Sequence, residues 1–119
     1  MLLRVEAIVR DEKYEDVKAA LDAIGVNGFT VSQVMGCGIQ KGYAEKVRGS
    51  EFDVVMQPKI KFDIVVSSRE WAQKTMETIR SAAKTDEVGD GKIFVSEILE
   101  VMRIRTGETG YDAINEPEE

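Results

Sequence analysis

Two stretches of this chain alternate apolar and polar side chains, and each leads into apolar residues at helical spacing. Ile60, Phe62, Ile64 and Val66 interleave with Lys59, Lys61 and Asp63, the period of two that a strand with one buried face requires. Leu3, Val5, Ala7 and Val9 repeat the pattern with Arg4 and Glu6 between them. After the earlier strand, Asp11 is placed to cap a helix marked by Tyr14, Val17, Leu21 and Ile24. Gly25 stands where a left-handed terminator is cheapest, giving a helix of about 13 residues. After the later strand, Ser67-x-x-Glu70 reads as a capping box, in which hydroxyl and carboxylate satisfy each other's free amides. Ala72, Thr75, Met76, Ile79, Ala82 and Ala83 then mark one face of a second helix.

Each helix leads into another extended segment. The first is Phe29 to Met35, rich in β-branched residues; the second is Ile93-Phe94-Val95 after a polar loop from Thr85 to Lys92. A last extended segment is expected over Glu100 to Ile104. The order strand–helix–strand, twice, predicts an α+β fold of ferredoxin-like βαββαβ type, one antiparallel sheet with two helices on one face. Such a sheet leaves its other face uncovered, and self-association is the simplest way to cover it. Between Gly36 and Pro58 the periodicity disappears, so this stretch reads as a long excursion, with Pro58 at the entry to the next strand. Loops of that length inside a compact domain are usually functional or disordered.

Composition narrows the chemistry. The 119 residues suit one domain. Lys and Arg number 16 against 22 Asp and Glu, a net charge of −6, which argues against general duplex binding. There is no histidine, so His-based triads, phosphohistidine and His-ligated metals are excluded. The single cysteine, Cys37, cannot form an internal disulfide and suits a reducing cytoplasm. It has no His partner for nucleophilic work. No apolar run approaches the roughly 20 residues of a membrane helix.

The strongest local signal is Gly89-Asp90-Gly91-Lys92. Two glycines permit positive φ and close ligand approach. Successive amides in such a turn can cradle an anion beside the lysine; the alternative is a tight surface turn with a solvated lysine. The spacing is not that of a P-loop. In an extended segment Arg103 and Arg105 would share one face, with Ile104 packed inward, and two adjacent guanidiniums suit phosphate or carboxylate. Lys59 could join them. Gly36-Cys37-Gly38-Ile39-Gln40-Lys41-Gly42 opens the long loop; it is either a hinge or a ligand-facing backbone, with Gln40 able to offer an oxygen to Mg²⁺. Trp71 lies off the apolar face of its helix and suits a contact between subunits or elements.

These blocks together resemble the PII family of nitrogen-regulatory signalling proteins. The resemblance runs from residue 1 to about 114 and is carried by Val5-Glu6-Ala7-Ile8, Gly36-x-Gly38-x-Gln40-Lys41-Gly42, Arg48-Gly49-Ser50-Glu51 and Pro58-Lys59-Ile60-Lys61. It continues through Gly89-Asp90-Gly91-Lys92-Ile93-Phe94-Val95 and Arg103-Ile104-Arg105-Thr106-Gly107. It implies a single domain over 1–114, with a T-loop at 37–56, a nucleotide loop at 85–92 and an acidic tail at 115–119. It also implies a homotrimer with ATP or ADP in each cleft between subunits. Gly89, Asp90, Gly91, Lys92, Arg103 and Arg105 match residues around the phosphates; Thr30, Gly36, Gly38 and Val65 match those along purine and ribose. Gln40 matches a residue on an Mg²⁺ shared by ATP and 2-oxoglutarate, with Lys59 nearby. Arg48 matches an arginine that enters an ammonium transporter's cytoplasmic mouth, and Ser50 a serine phosphorylated in some members. Phe52 replaces a tyrosine nucleotidylated in many, which removes that modification. Ile39 stands where a basic residue often approaches the terminal phosphate.

The resemblance thus implies a non-enzymatic cytoplasmic sensor of adenine nucleotides and 2-oxoglutarate, brought to the membrane only through a transporter. A nitrogen-assimilation or nitrogen-fixation enzyme is the alternative target. A small ferredoxin-like phosphate-processing enzyme would need a base or nucleophile that the sequence does not offer. An RNA-binding module is disfavoured by the charge and by the lack of sheet aromatics.

Overall fold

The computed structural model describes residues 1–40 and 53–114. The elements are β1 (Leu2–Arg10), a 3₁₀ turn (Asp11–Lys13), α1 (Tyr14–Ala23), β2 (Thr30–Gln40), β3 (Asp53–Val66), α2 (Arg69–Ala83), β4 (Lys92–Ile98) and a short α3 (Tyr111–Ile114). The four strands form one antiparallel sheet in the order β2-β3-β1-β4. This is the expected ferredoxin-like arrangement.

Strand pleat decides what each face carries. Leu3, Val5, Ala7 and Val9 stand opposite Val66, Ile64, Phe62 and Ile60, and all eight are buried. The helices cover this face with Val17 and Leu21 from α1 and Ala72, Ile79 and Ala83 from α2. Phe62 anchors the layer, with its ring 5.8 Å from that of Tyr14 and 5.5 Å from that of Phe29. The opposite face carries ion pairs, Arg4 to Asp63 at 3.1 Å and Lys61 to Glu6 at 2.6 Å. Their hydrogen bond and mutual charge raise the Lys61 pKa.

Helix ends depart from the sequence reading in instructive ways. Asp11 makes no cap; it begins the 3₁₀ turn, and α1 starts only at Tyr14. Gly25 does terminate α1, at φ +85. Its N–H donates to Asp22 O at 3.0 Å and that of Val26 to Leu21 O at 2.9 Å, a Schellman closure. α2 is capped by Ser68 rather than Ser67. Ser68 Oγ accepts from the Trp71 N–H at 3.1 Å, because β3 stays extended to Val66 and the first helical turn begins at Arg69. Trp71 stays partly exposed, with the Lys74 ammonium 5.3 Å from its ring centre.

Two longer-range expectations are corrected. The chain does not leave the fold at Gly36: the β2–β3 ladder continues to Gln40 opposite Asp53. Beyond the helices these residues have no core to face, so backbone pairing proceeds without any apolar alternation. Residues 41–52, including Lys41, Gly42, Tyr43, Arg48, Ser50 and Phe52, lie outside the described residues, as does the tail 115–119. Pro58 is not a strand entry but lies inside β3, opposite Met35. The β1 partnership of β3 ends at Arg10 opposite Lys59, so the proline falls where only one neighbouring strand demands hydrogen bonds.

The second correction concerns Glu100 to Ile104, which adds no fifth strand to the sheet. A single bridge, Met102 with Thr109, closes a turn instead. Within it Arg103 N–H donates to Glu108 O and Gly107 N–H to Arg103 O, both at 2.8 Å. Gly107, at φ +76, permits the reversal. Ile104 is therefore 99% exposed rather than packed inward. No helix among the described residues is long and apolar enough to cross a membrane.

Thr75 is fully buried in α2, and its hydroxyl has no partner among the described residues. Burying an unpaired hydroxyl costs about 1–3 kcal/mol. Thr75→Val, of similar shape and helix propensity, should therefore raise stability by about 1 kcal/mol, read as a higher urea midpoint at unchanged slope.

Candidate functional site

The glycine turn after α2 is built by its own backbone and fastened from outside. Gly89 and Gly91 adopt φ of +106 and +104, conformations that cost other residues dearly. Asp86 also takes a positive φ, +69, which aspartate tolerates better than most side chains. Gly91 lies against β1: a Cβ there would come within 1.8 Å of the Ile8 carbonyl oxygen. No other residue fits.

Asp90 organises the turn from within. Its carboxylate accepts from the Thr85 hydroxyl, the Thr85 N–H at 2.8 Å, the Asp86 N–H at 3.0 Å and Arg10 Nε at 3.1 Å. These donors, Thr85 foremost, hold its pKa far below the usual carboxylate range. The Thr85 hydroxyl in turn accepts from the Glu87 N–H at 3.2 Å. The Asp90 carboxylate is thus committed to the loop, which leaves backbone amides and Lys92 as the groups that can meet a ligand.

Two cations fasten the turn from outside. Arg10 also donates through Nη2 to Val88 O at 2.9 Å. Lys59, only 8% exposed, donates through Nζ to the Gly89 carbonyl. Arg10 and Lys59 are register partners at the ends of the β1–β3 pairing, so one end of the sheet presents both to the turn. Gly36 leaves room for the lysine stem: a Cβ there would approach Lys59 Cγ to 3.0 Å.

The structure therefore brings together Gly89, Asp90, Gly91, Lys59 and Gly36. Thr30, Gly36, Gly38 and Val65 fall on the face of the sheet away from the helices, as their register with Asp63, Gln57, Val55 and Arg4 requires. Arg103 and Arg105 belong to a separate turn and do not form a strand pair. Arg103 meets Glu108 at 3.1 Å, a carboxylate partner that a reading along the extended segment misses, while Arg105 is exposed. Lys92 is exposed at the start of β4. Gln40 closes the ladder as the last described residue of β2.

Arg10 and Thr85 are the residues the sequence reading missed. Arg10 ends an alternating strand and looks like a solvated charge. Thr85 opens a polar loop five residues before Asp90, a spacing that hints at a side-chain-closed turn.

A model of the family described as nitrogen regulatory protein P-II matches residues 2–108. The chain belongs to the P-II family. It is 50% identical over 111 residues to the nitrogen regulatory protein P-II of Rhizobium meliloti, covering 93% of this chain and 98% of that one. P-II 1 of Methanothermobacter thermautotrophicus is also 50% identical, with 93% and 96% covered. Among solved structures, B. subtilis GlnK aligns at TM-score 0.77 and 40% identity, over 94% of this chain and 97% of that one. A. thaliana PII bound to citrate aligns at 0.70 and 39%, over 94% and 91%. This P-II chain is accordingly a nitrogen regulatory protein whose relatives are named as regulators rather than enzymes.

Two outcomes follow from the turn. Gly91→Ala drives a Cβ into backbone and should lower stability by more than about 2 kcal/mol. Gly89→Ala meets only the movable end of Arg10, at 3.2 Å, and should cost less; thermal melts of the two variants compare them. Asp90 has a depressed pKa in the folded state, so its contribution is fully present above the unfolded value and is lost as pH falls from there through the folded one. Its carboxyl carbon resonance should still report the ionised form at about pH 3, where an ordinary aspartate is largely protonated. Removing the Thr85 hydroxyl and amide geometry with Thr85→Pro should move that titration upward.

Proposed function

We propose that this P-II protein is a homotrimeric sensor that binds ATP or ADP at the glycine turn and reports 2-oxoglutarate to a protein target through residues 37–56. The observation that carries the reading is the preformed turn. Its two positive-φ glycines are locked by Asp90 and anchored by Arg10 and Lys59, leaving its amides ordered before any ligand arrives. Preformed amides of this kind suit polyphosphate, because little ordering cost remains at binding.

In this reading Gly89, Asp90, Gly91 and Lys92 form the phosphate cradle, with Arg103 and Arg105 supplying further positive charge. Thr30, Gly36, Gly38 and Val65 line the purine and ribose side of a cleft that a neighbouring copy completes. The open sheet face fits such an assembly, since it carries half-buried Ile8, Val34 and Val65 and the exposed ring of Phe94 among its charged pairs. A solved complex of B. subtilis GlnK with ATP, 38% identical at TM-score 0.77, supports a nucleotide, and the citrate-bound A. thaliana protein supports a polycarboxylate effector.

Among the described residues no cluster of three acidic or cysteine groups could hold a metal. In this reading an Mg²⁺ is held mainly by the oxygens of phosphate and effector, as Mg²⁺ commonly is, with Gln40 as its protein ligand. When bound, the ion would neutralise the charge of ATP and 2-oxoglutarate where they meet. In the same reading Lys59, which holds the Gly89 carbonyl, would exchange it for an effector carboxylate. Arg48 is the proposed docking residue toward an ammonium transporter, which would recruit the otherwise cytoplasmic protein to the membrane. A nitrogen-assimilation or nitrogen-fixation enzyme is the second target, and Ser50 a site for modification.

Calorimetry with ATP, ADP and 2-oxoglutarate, with and without Mg²⁺, tests the proposal. Nucleotide should bind without turnover, and 2-oxoglutarate should bind only with ATP and Mg²⁺. Arg105→Ala should weaken ATP about tenfold or more, the loss of one charge-assisted contact. With Ile39 in place of a basic residue, ATP and ADP should bind with comparable affinity. A monomeric chain indifferent to both nucleotides would refute the reading.

A further inference from the structure

A cavity of about 310 Å³ lies beneath the glycine turn, on the side of the sheet that carries the helices. Its floor is apolar, formed by Ile79 and Ala83 of α2 and Ile93 of β4. Ile93 stands opposite Ala7 in the ladder, on the core face. Arg80, Lys84 and Lys92 also line it. Thr30, Gly36, Lys59 and Val65, which the nucleotide reading uses, belong to the other face and contribute nothing to this lining.

The charge in this cavity is positive in effect, although the protein is acidic as a whole. Asp90 lines it too, but its carboxylate is taken by Thr85, Asp86 and Arg10. Asp86, also in the lining, engages Lys84 at 3.5 Å. Arg80 lies in the last turn of α2 and Lys84 caps that helix in extended conformation, its N–H donating to the Arg80 carbonyl at 3.0 Å. Lys92 borders the same space from β4, although its register with Ile8 sets its side chain toward the open face. Lys84 already has the Asp86 carboxylate at 3.5 Å, so an oxyanion here would meet Arg80 foremost, whose guanidinium presents a planar fork suited to a carboxylate.

The size and floor limit what such an anion carries. A volume of this order is at the lower end for small-molecule sites, which suits a short hydrocarbon body. We propose that this cavity binds a small organic carboxylate, its head group between Arg80 and Lys84 and its body over Ile79, Ala83 and Ile93. This site borders the nucleotide cleft through Asp90, Gly91 and Lys92, but Arg80 and Lys84, which would hold the head group, take no part in the nucleotide reading.

Hexanoate titrated into the full ¹⁵N-labelled chain is the probe. Saturable shifts are expected at the backbone amides of Ile79, Ala83, Gly91 and Ile93. Acetate, lacking the body, should bind about tenfold more weakly or worse. The double variant Arg80→Ser with Lys84→Ser changes only exposed side chains, so its melting temperature should hold while hexanoate affinity falls about tenfold. Its ATP affinity should stay within about twofold of the parent. The proposal is overturned by absence of saturable shifts, by equal binding of acetate and hexanoate, or by a double variant that binds hexanoate normally. A matching loss of ATP binding in that variant also overturns it, since the cavity would then be part of the nucleotide cleft.

Discussion

Two cations at the end of the β1–β3 pairing hold the glycine turn in place, and the candidate site depends on that hold. A loop with two positive-φ glycines has little conformational preference of its own. Arg10 and Lys59 supply the missing restraint by donating to the carbonyls of Val88 and Gly89. Antiparallel register makes both available at once, because Arg10 and Lys59 are direct partners in the ladder. Asp90 completes the arrangement by linking Arg10 to the start of the loop at Thr85. A charge-assisted network of this kind is strong because each acceptor is shared among ordered donors.

The sheet divides its labour between faces. One is a core of aliphatic side chains around Phe62, sealed by α1 and α2. The other alternates charged pairs with half-buried apolar groups, a surface suited to another copy of the chain rather than to a second layer of helices. The same division leaves the glycine turn and the end of the β2–β3 ladder outside the core, on a scaffold shared with the P-II family.

Much of this was legible before the structure. The alternation at Leu3–Val9 and Ile60–Val66 specified two strands with the correct inner face, and Gly25 marked the end of α1 because a left-handed closure favours glycine. The glycine turn was visible as a motif. Three things were not. The β2–β3 ladder beyond Gly36 follows from backbone pairing, which leaves no trace in apolar alternation when there is no core to face. The reversal at 103–108 depends on Glu108 folding back to Arg103, a contact five residues away that an extended reading breaks. Ser68 rather than Ser67 caps α2 because the first helical turn begins at Arg69, and two adjacent serines look alike in a sequence.

What the amino-acid order settled alone was the strand–helix–strand order of both halves, the buried faces of β1, β3 and the two long helices, the absence of histidine chemistry and the presence of a glycine turn beside a lysine. These are local properties: periodicity, conformational preference and side-chain inventory act within a few residues. What only the tertiary structure decided was which distant groups meet. Arg10 reaches Asp90, Lys59 reaches Gly89, and Gly91 rests on the carbonyl of Ile8, because strand register sets those distances and register is a property of the assembled sheet.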